Sequence, residues 1–269
     1  MQLENLNDIT PRHRHIFLSP HFDDAIFACG GTMGVQVSAG VRPLILTVFG
    51  GLPTTSQEIS PYALEVHREV GFDRDIAKAV TTRRQEDALA AASLSADYLW
   101  LDYLDAIYRG TPTYYNSREE LIGGSVHRGD FELDKQLAQT LVELHHRLPD
   151  TVWYAPLGIG RHVDHQIISS VADRLVQAGA DVKFYEDFPY VLEGNELENR
   201  LKELGDNMEP ALVEVSEMLP LRQEASALYS SQVNNLFGSK AEMFKSMENY
   251  AHRLRPIETV HLERYWTVR

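Results

Sequence analysis

The chain has 269 residues, 43% of them hydrophobic and 24% charged, the balance of a folded globular protein and not of a disordered, collagenous or coiled-coil one. Its 39 acidic against 25 basic side chains give a formal net charge of -14, which repels phosphate backbones and anionic membrane surfaces and excludes nucleic acid as a natural partner. Cys29 is the one cysteine, residues 1–14 lack the apolar core of a signal peptide, and no apolar run reaches the length of a membrane span, so a reducing cytoplasmic setting without membrane insertion is expected.

His15-Ile-Phe-Leu-Ser19 reads as a short buried strand stopped by Pro20, and residues 23–38 as the helix after it, closed by Gly40. Gly30 and Gly31 inside that helix each cost roughly 1 kcal/mol against alanine, which implies that something packs closely there. Residues 43–49, Pro-Leu-Ile-Leu-Thr-Val-Phe, form a second buried strand ended by Gly50-Gly51. Strand, helix, strand makes a βαβ unit, and hence a mostly parallel sheet.

Residues 53–74 show no clear period and read as a long loop or lid. Residues 83–94 form an alanine-rich helix and 98–101 a strand, followed by a Tyr- and Gly-rich loop to Arg128; loops this long in a compact domain usually carry function. Leu133, Leu137, Leu141, Leu144 and Leu148 step by four and three, an amphipathic helix that leads to a strand at 151–155. After a turn with Gly158 and Gly160 a helix runs from His162 to about Gln177. Further strands are expected at 182–185, 211–215 and 261–268, and a single helix at 221–236. The reading is one α/β domain over residues 1–269, its parallel sheet flanked by helices and its long loops over the C-terminal strand ends.

Two clusters occupy equivalent places in this pattern, where a buried strand turns into a helix: Pro20-His21-Phe22-Asp23-Asp24 and His162-Val163-Asp164-His165. Open α/β sheets bind ligands in the crevice at such strand ends, so neighbouring strands would bring both clusters to one pocket. Each cluster holds an i, i+3 pair, which lies on one face of a helical turn. His21, Asp24 and His165 together offer a divalent cation two imidazoles and one carboxylate with a position left open. Asp23 is then a spare carboxylate able to take a proton from water activated at the metal, the candidate general base. His162 is left to stabilise a developing oxyanion, and Asp164 to orient an imidazole. The plain alternatives are helix N-capping by Asp23-Asp24 and a chance His-x-x-His.

At these residues the chain resembles the LmbE-like, or PIG-L, family of zinc-dependent N-deacetylases, with their Pro-His-x-Asp-Asp and later His-x-Asp-His motifs. The likeness continues through Thr47–Gly51, Arg83–Asp87, Leu104–Arg109, Tyr185–Tyr190, Tyr229–Gln232 and Arg264–Trp266. It implies a Rossmann-like α/β fold and removal of an acetyl group from an N-acetylglucosamine unit carried on another molecule. It also implies zinc at His21, Asp24 and His165, with Asp23 as base and His162 as oxyanion stabiliser or acid. Phe22 and Ala25 depart from the commonest motif, Ala-His-Pro-Asp-Asp-Glu, so the substrate of the best-known members does not transfer. Family members are often oligomeric, which leaves a homo-oligomer open.

Around the clusters, Arg83, Arg84 and Glu86 could contact substrate or form a solvated ion-pair face. Asp105 and Arg109, in a loop with Tyr108, Tyr114 and Tyr115, could wall a sugar pocket or simply pack. Glu186-Asp187 could border the pocket or cap a turn. Cys29 reads as a buried, inert side chain, and His67 as undecided between lid packing and function. Besides the hydrolase, two readings stay open: an iron(II) facial-triad enzyme using the same ligands, and a sugar-binding protein that has lost turnover.

Overall fold

The protein is described from a computed structural model, which covers residues 1–54, 59–255, 257 and 259–269. Residues 55–58 of the expected loop at 53–74 lie outside the described residues.

The first βαβ unit is β1 (His15–Ser19), α1 (Asp24–Ser38) and β2 (Leu44–Thr47). All four residues of β2 and four of the five in β1 are buried, as a strand covered on both faces requires. α2 (Pro61–Glu69) and α3 (Ile76–Ser93) lead to β3 (Asp97–Trp100). The short α4 (Arg118–Leu121) and α5 (Phe131–Arg147) precede β4 (Val152–Pro156), and α6 (Val163–Gln177) precedes β5 (Asp181–Tyr185). α7 (Glu196–Leu204), β6 (Met208–Glu214), α8 (Leu219–Ser226), α9 (Ser230–Phe237), α10 (Lys240–Arg253) and β7 (Leu262–Val268) complete the chain.

Among the described residues the seven strands form one sheet in the order β3-β2-β1-β4-β5-β7-β6. β1 to β5 are parallel, and β7 runs antiparallel to both β5 and β6. The sheet is therefore mostly parallel, and its strand order reverses between β1 and β4, where His15 pairs with Val152 and Phe17 with Tyr154. The two sequence clusters follow these two strands, so both sit at the topological switch point. Right-handed crossovers place α1 and α3 on one face and α5 and α6 on the other. α8 packs on α1 and α3, and α5 packs on α6. Leu137, Leu141, Leu144 and Leu148 bury the apolar stripe of α5.

Two expectations change. The stretch expected as a loop at 53–74 contains α2, started by Ser60, whose Oγ accepts from the Ala63 N–H, and by Pro61 at the first helical position. The helix expected over 221–236 is two, α8 and α9. The chain turns at Tyr229, whose hydroxyl donates to Asp87 of α3, while Glu86 accepts from the Ser231 N–H at the start of α9.

Gly30 and Gly31 meet the close approach that their cost implies. A Cβ on Gly31 would lie 2.6 Å from Glu263 Oε1 and 2.8 Å from Val215 Cβ. The Glu263 carboxylate accepts from the Gly31 and Thr32 N–H groups, and Arg222 Nε donates to the Phe27 carbonyl, so an ion pair from α8 and β7 grips the middle of α1.

Candidate active site

β1 ends at Ser19, whose hydroxyl donates to the His21 carbonyl and accepts from the Ala25 N–H, which folds the chain into the tight corner before α1. Asp24 Oδ2 accepts from the His21 N–H at 2.8 Å. Asp23 occupies the N-cap position, yet its side chain makes no capping bond; it is buried and takes Arg83 Nη2 at 3.3 Å. Simple N-capping therefore does not account for this carboxylate.

The second corner, after β4, uses backbone that favours glycine. Gly158 and Gly160 have φ of +86° and +77°, and a Cβ at Gly160 would come within 2.7 Å of the Tyr190 ring. His162 caps α6, its Nδ1 accepting from the Asp164 N–H at 3.2 Å. With Nδ1 used as acceptor, the neutral ring carries its proton on Nε2. His162 lines the same cavity as His21, Asp23 and Asp24.

His21 Nδ1 and His165 Nε2 approach Asp24 Oδ2 at 3.2 and 3.3 Å. Ligand-type atoms of these three residues all lie within 4.8 Å of one another. The far nitrogen of each imidazole meets a buried carboxylate: His21 Nε2 donates to Asp164 Oδ2 at 3.0 Å and His165 Nδ1 to Asp187 Oδ1 at 2.6 Å. These outer partners fix the tautomers that leave Nδ1 of His21 and Nε2 of His165 as lone-pair donors. Among the described residues His21, His162 and Asp164 also lie close enough to share an ion. Asp164, however, is already engaged by Arg109 Nη1 at 2.6 Å, the Ala106 N–H and His21. Two imidazoles and one carboxylate with oriented outer partners fit a zinc-type ion.

The charges agree with that fit. Burial alone would lower the His165 pKa, but Asp24 and Asp187 raise it to about 9. Burial would raise the Asp24 carboxyl, yet the His165 and His21 rings hold it well below the usual range. Both shifts say that positive charge is favoured between these residues. Burial raises the Asp23 pKa, only partly countered by the Arg83 guanidinium, and so moves it toward the range useful in proton transfer. Burial, reinforced by His21, lowers the His162 pKa well below 6.5 and keeps that ring neutral.

Above these groups opens a cavity of about 590 Å³. Arg83 and Asp105 form its polar wall beside His21 and Asp23, while Tyr62, Val66 and Phe72 on and after α2 make an apolar side. Phe188, Tyr190 and Leu236 of α9 also line it, with the Tyr190 ring edge to face against His165 at a centroid distance of 5.7 Å. A smaller cleft of about 160 Å³, between Pro11 and Thr151, is remote from this chemistry.

Residues 16–176 match the family model described as PIG-L, GlcNAc-PI de-N-acetylase, which is more than half of the chain. The chain belongs to the PIG-L family. It is 31% identical over 238 residues to the 2'-N-acetylparomamine deacetylase of Niallia circulans, covering 84% of this chain and 83% of that protein. A 2'-N-acetylparomamine deacetylase of Streptomyces fradiae is 29% identical over 230 residues, covering 83% and 75%. The solved structure of teicoplanin deacetylase in a zinc-inhibited form superposes with a TM-score of 0.79 at 25% identity, covering 95% of this chain and 98% of that one.

Within this PIG-L chain two residues expected at a pocket wall lie elsewhere. Arg109 is buried under the site and holds Asp130 through two bonds of 3.0 and 2.9 Å while pairing with Asp164, so it supports an outer carboxylate and does not line the cavity. Glu186 also faces away: its carboxylate accepts from Arg264 Nε, Trp266 Nε1 and the Tyr250 hydroxyl. Successive side chains at a strand end point to opposite sides, and it is Asp187 that reaches His165. Asp187 Oδ2 also accepts from the Gly158 and Ile159 N–H groups, so one carboxylate fixes both the imidazole and the glycine corner. Glu86 is held by Ser230 and Ser231 and is structural, whereas Arg84 donates to the Gly50 carbonyl beneath the loop after β2. Cys29 is fully buried, and burial pushes its thiol pKa well up.

Proposed function

We propose that this chain hydrolyses the acetamide of an N-acetylglucosamine-type amino sugar or its conjugate with zinc as its metal, the N-deacetylation for which its relatives are named. The observation that carries the reading is Asp23, an uncapped buried carboxylate beside a two-imidazole, one-carboxylate donor set at the floor of a cavity. A facial-triad oxygenase has no use for that carboxylate, and a binding protein without turnover has no need to bury it against Arg83.

His21 through Nδ1, Asp24 through Oδ2 and His165 through Nε2 would hold the ion. When bound, it supplies Lewis acidity to the acetyl carbonyl and lowers the pKa of water to near 7. Asp23 accepts the proton of the attacking water, and Arg83 keeps its carboxylate turned into the cavity. His162, neutral and protonated on Nε2, donates to the carbonyl oxygen as negative charge develops there. Asp23 then passes its proton to the departing nitrogen, and acetate and a free amine leave. Arg83 and Asp105 bind sugar hydroxyls, and Asp164 with Asp187 holds the ligand rings in register.

A test is acetate and amine release from 2'-N-acetylparomamine, the compound named for two relatives, using protein stripped by a chelator and then given back zinc or iron(II). Activity that disappears on stripping and returns with zinc under nitrogen supports the reading. Turnover that requires oxygen and a reductant would replace it with the iron reading.

A further inference from the structure

We propose that Phe22 is a positioning residue for the hydrolysis, the face of its ring holding the Arg83 guanidinium where it meets both Asp23 and the substrate; the inference rests on the deacetylase reading above. Phe22 stands in the chain between His21 and Asp23, is 3% exposed, and carries the Arg83 guanidinium carbon over its ring at 5.4 Å from the centroid. Arg83 needs such a hold. Its Nη2 reaches Asp23 Oδ1 at 3.3 Å, a long contact, and its buried Nε has no hydrogen-bond partner among the described residues. One long hydrogen bond leaves a planar fork of donors free to turn about it. The ring supplies a second point of attachment, and the attraction of a cation to an aromatic face grows where water is excluded.

The ring is itself fixed, which lets it set the place of a flexible side chain. Trp100, at the end of β3, meets it edge to face at a centroid distance of 6.1 Å and an interplanar angle of 86°, and Trp100 is anchored by Nε1, which donates to Asp87 Oδ2 at 2.6 Å. Phe22 also lies close against Gly50: a Cβ there would come within 3.2 Å of Phe22 Cε1. Arg84 repeats the arrangement one residue on, its guanidinium carbon 5.2 Å from the Trp100 ring centroid. Two consecutive arginines of α3 are thus seated on two rings that pack against each other. Arg83 lines the cavity with its side chain 20% exposed, so part of the guanidinium stays open to substrate while the ring limits its movement. An aliphatic residue at position 22 would fill the space beside Gly50 and Trp100 but leave Arg83 with Asp23 alone, and the proline of the commonest motif offers no aromatic face either.

Two replacements separate the ring face from its bulk. Phe22→Leu keeps an apolar filling, and 3,5-difluorophenylalanine at position 22 keeps the ring while draining the negative charge of its face. Each is made in wild type and in Arg83→Met, and zinc-loaded protein is assayed on methyl N-acetylglucosaminide and other acetylated amino sugars, reading kcat, KM, zinc content and Tm. With Arg83 present, Phe22→Leu is expected to lower kcat/KM about 10-fold and the fluorinated ring about 3-fold, through both kcat and KM because Arg83 serves the base and the sugar, at unchanged zinc content. In the Arg83→Met background both replacements change kcat/KM less than about 2-fold, the non-additivity of a residue that acts through another. Equal losses in the two backgrounds assign Phe22 to packing and overturn the proposal. A loss that follows zinc content overturns it too, by assigning Phe22 to the corner that carries His21 and Asp24, as does an active wild type matched by either replacement. A wild type that releases no acetate from any acetylated amino sugar removes the deacetylase reading and this inference with it.

Discussion

Asp187 Oδ1 lies 2.6 Å from His165 Nδ1 while its Oδ2 holds the Gly158 and Ile159 N–H groups, so the chain just past the end of β5 reaches across to set both the imidazole and the turn that carries it. Outer partners of this kind usually account for a 10–100-fold difference in metal affinity. Asp187→Asn is therefore expected to weaken zinc binding by about that factor, measured by competition with a chromogenic chelator, in a chain that remains folded by circular dichroism.

Arg109 joins two buried carboxylates, Asp130 and Asp164, and its own side chain is 6% exposed. Removing the cation leaves both carboxylates uncompensated, a loss of about 3–5 kcal/mol for a buried pair. Arg109→Met should lower the urea midpoint accordingly and weaken metal binding through the Asp164–His21 contact. Lys240→Ala, which breaks a surface pair with Glu224, should leave the midpoint unchanged.

Gly31 sits inside α1, where alanine is intrinsically favoured by roughly 1 kcal/mol. The Glu263 carboxylate and the Val215 side chain occupy the space a methyl would need. Overpacking of this kind costs about 1–3 kcal/mol, so Gly31→Ala is expected to destabilise the protein in a thermal melt despite its better helix propensity. A rise in Tm would show that the Arg222–Glu263 grip on α1 gives way freely.

Burial raises the Asp87 pKa to about 7, although Tyr229 and Trp100 donate to its oxygens. In the unfolded chain it titrates near 4. The folded protein thus binds the extra proton between these values, and its contribution to stability is full at acid pH and is lost as pH rises through about 7. Denaturant midpoints of wild type relative to Asp87→Asn should fall between pH 4 and pH 7 and run parallel elsewhere. A wild type that gains on the asparagine variant across that window would reverse the assignment.

Both motif clusters were legible in the sequence because each follows a short buried strand directly, and the pairing of β1 with β4 brings them together. Asp187 was harder to separate from Glu186, since which of two consecutive carboxylates faces the site depends on the phase of β5, which only sheet pairing sets. Arg109 looked like a pocket residue because its loop has no period, and its partner Asp130 lies beyond that loop. α2 was hidden by its length of nine residues, too short for a periodic signal, though Ser60-Pro61 marks its start. The break between α8 and α9 follows from Asp87 and Glu86 drawing in Tyr229 and Ser231, contacts between segments far apart in the chain.

In the proposed reaction Asp23 moves the protons of amide hydrolysis beside a metal held by His21, Asp24 and His165. Its most direct test compares zinc-loaded wild type and Asp23→Asn for acetate release from 2'-N-acetylparomamine, with zinc content measured on the same samples. A loss of at least about 100-fold at unchanged zinc content and Tm is expected. Full activity of a zinc-loaded Asp23→Asn would contradict it.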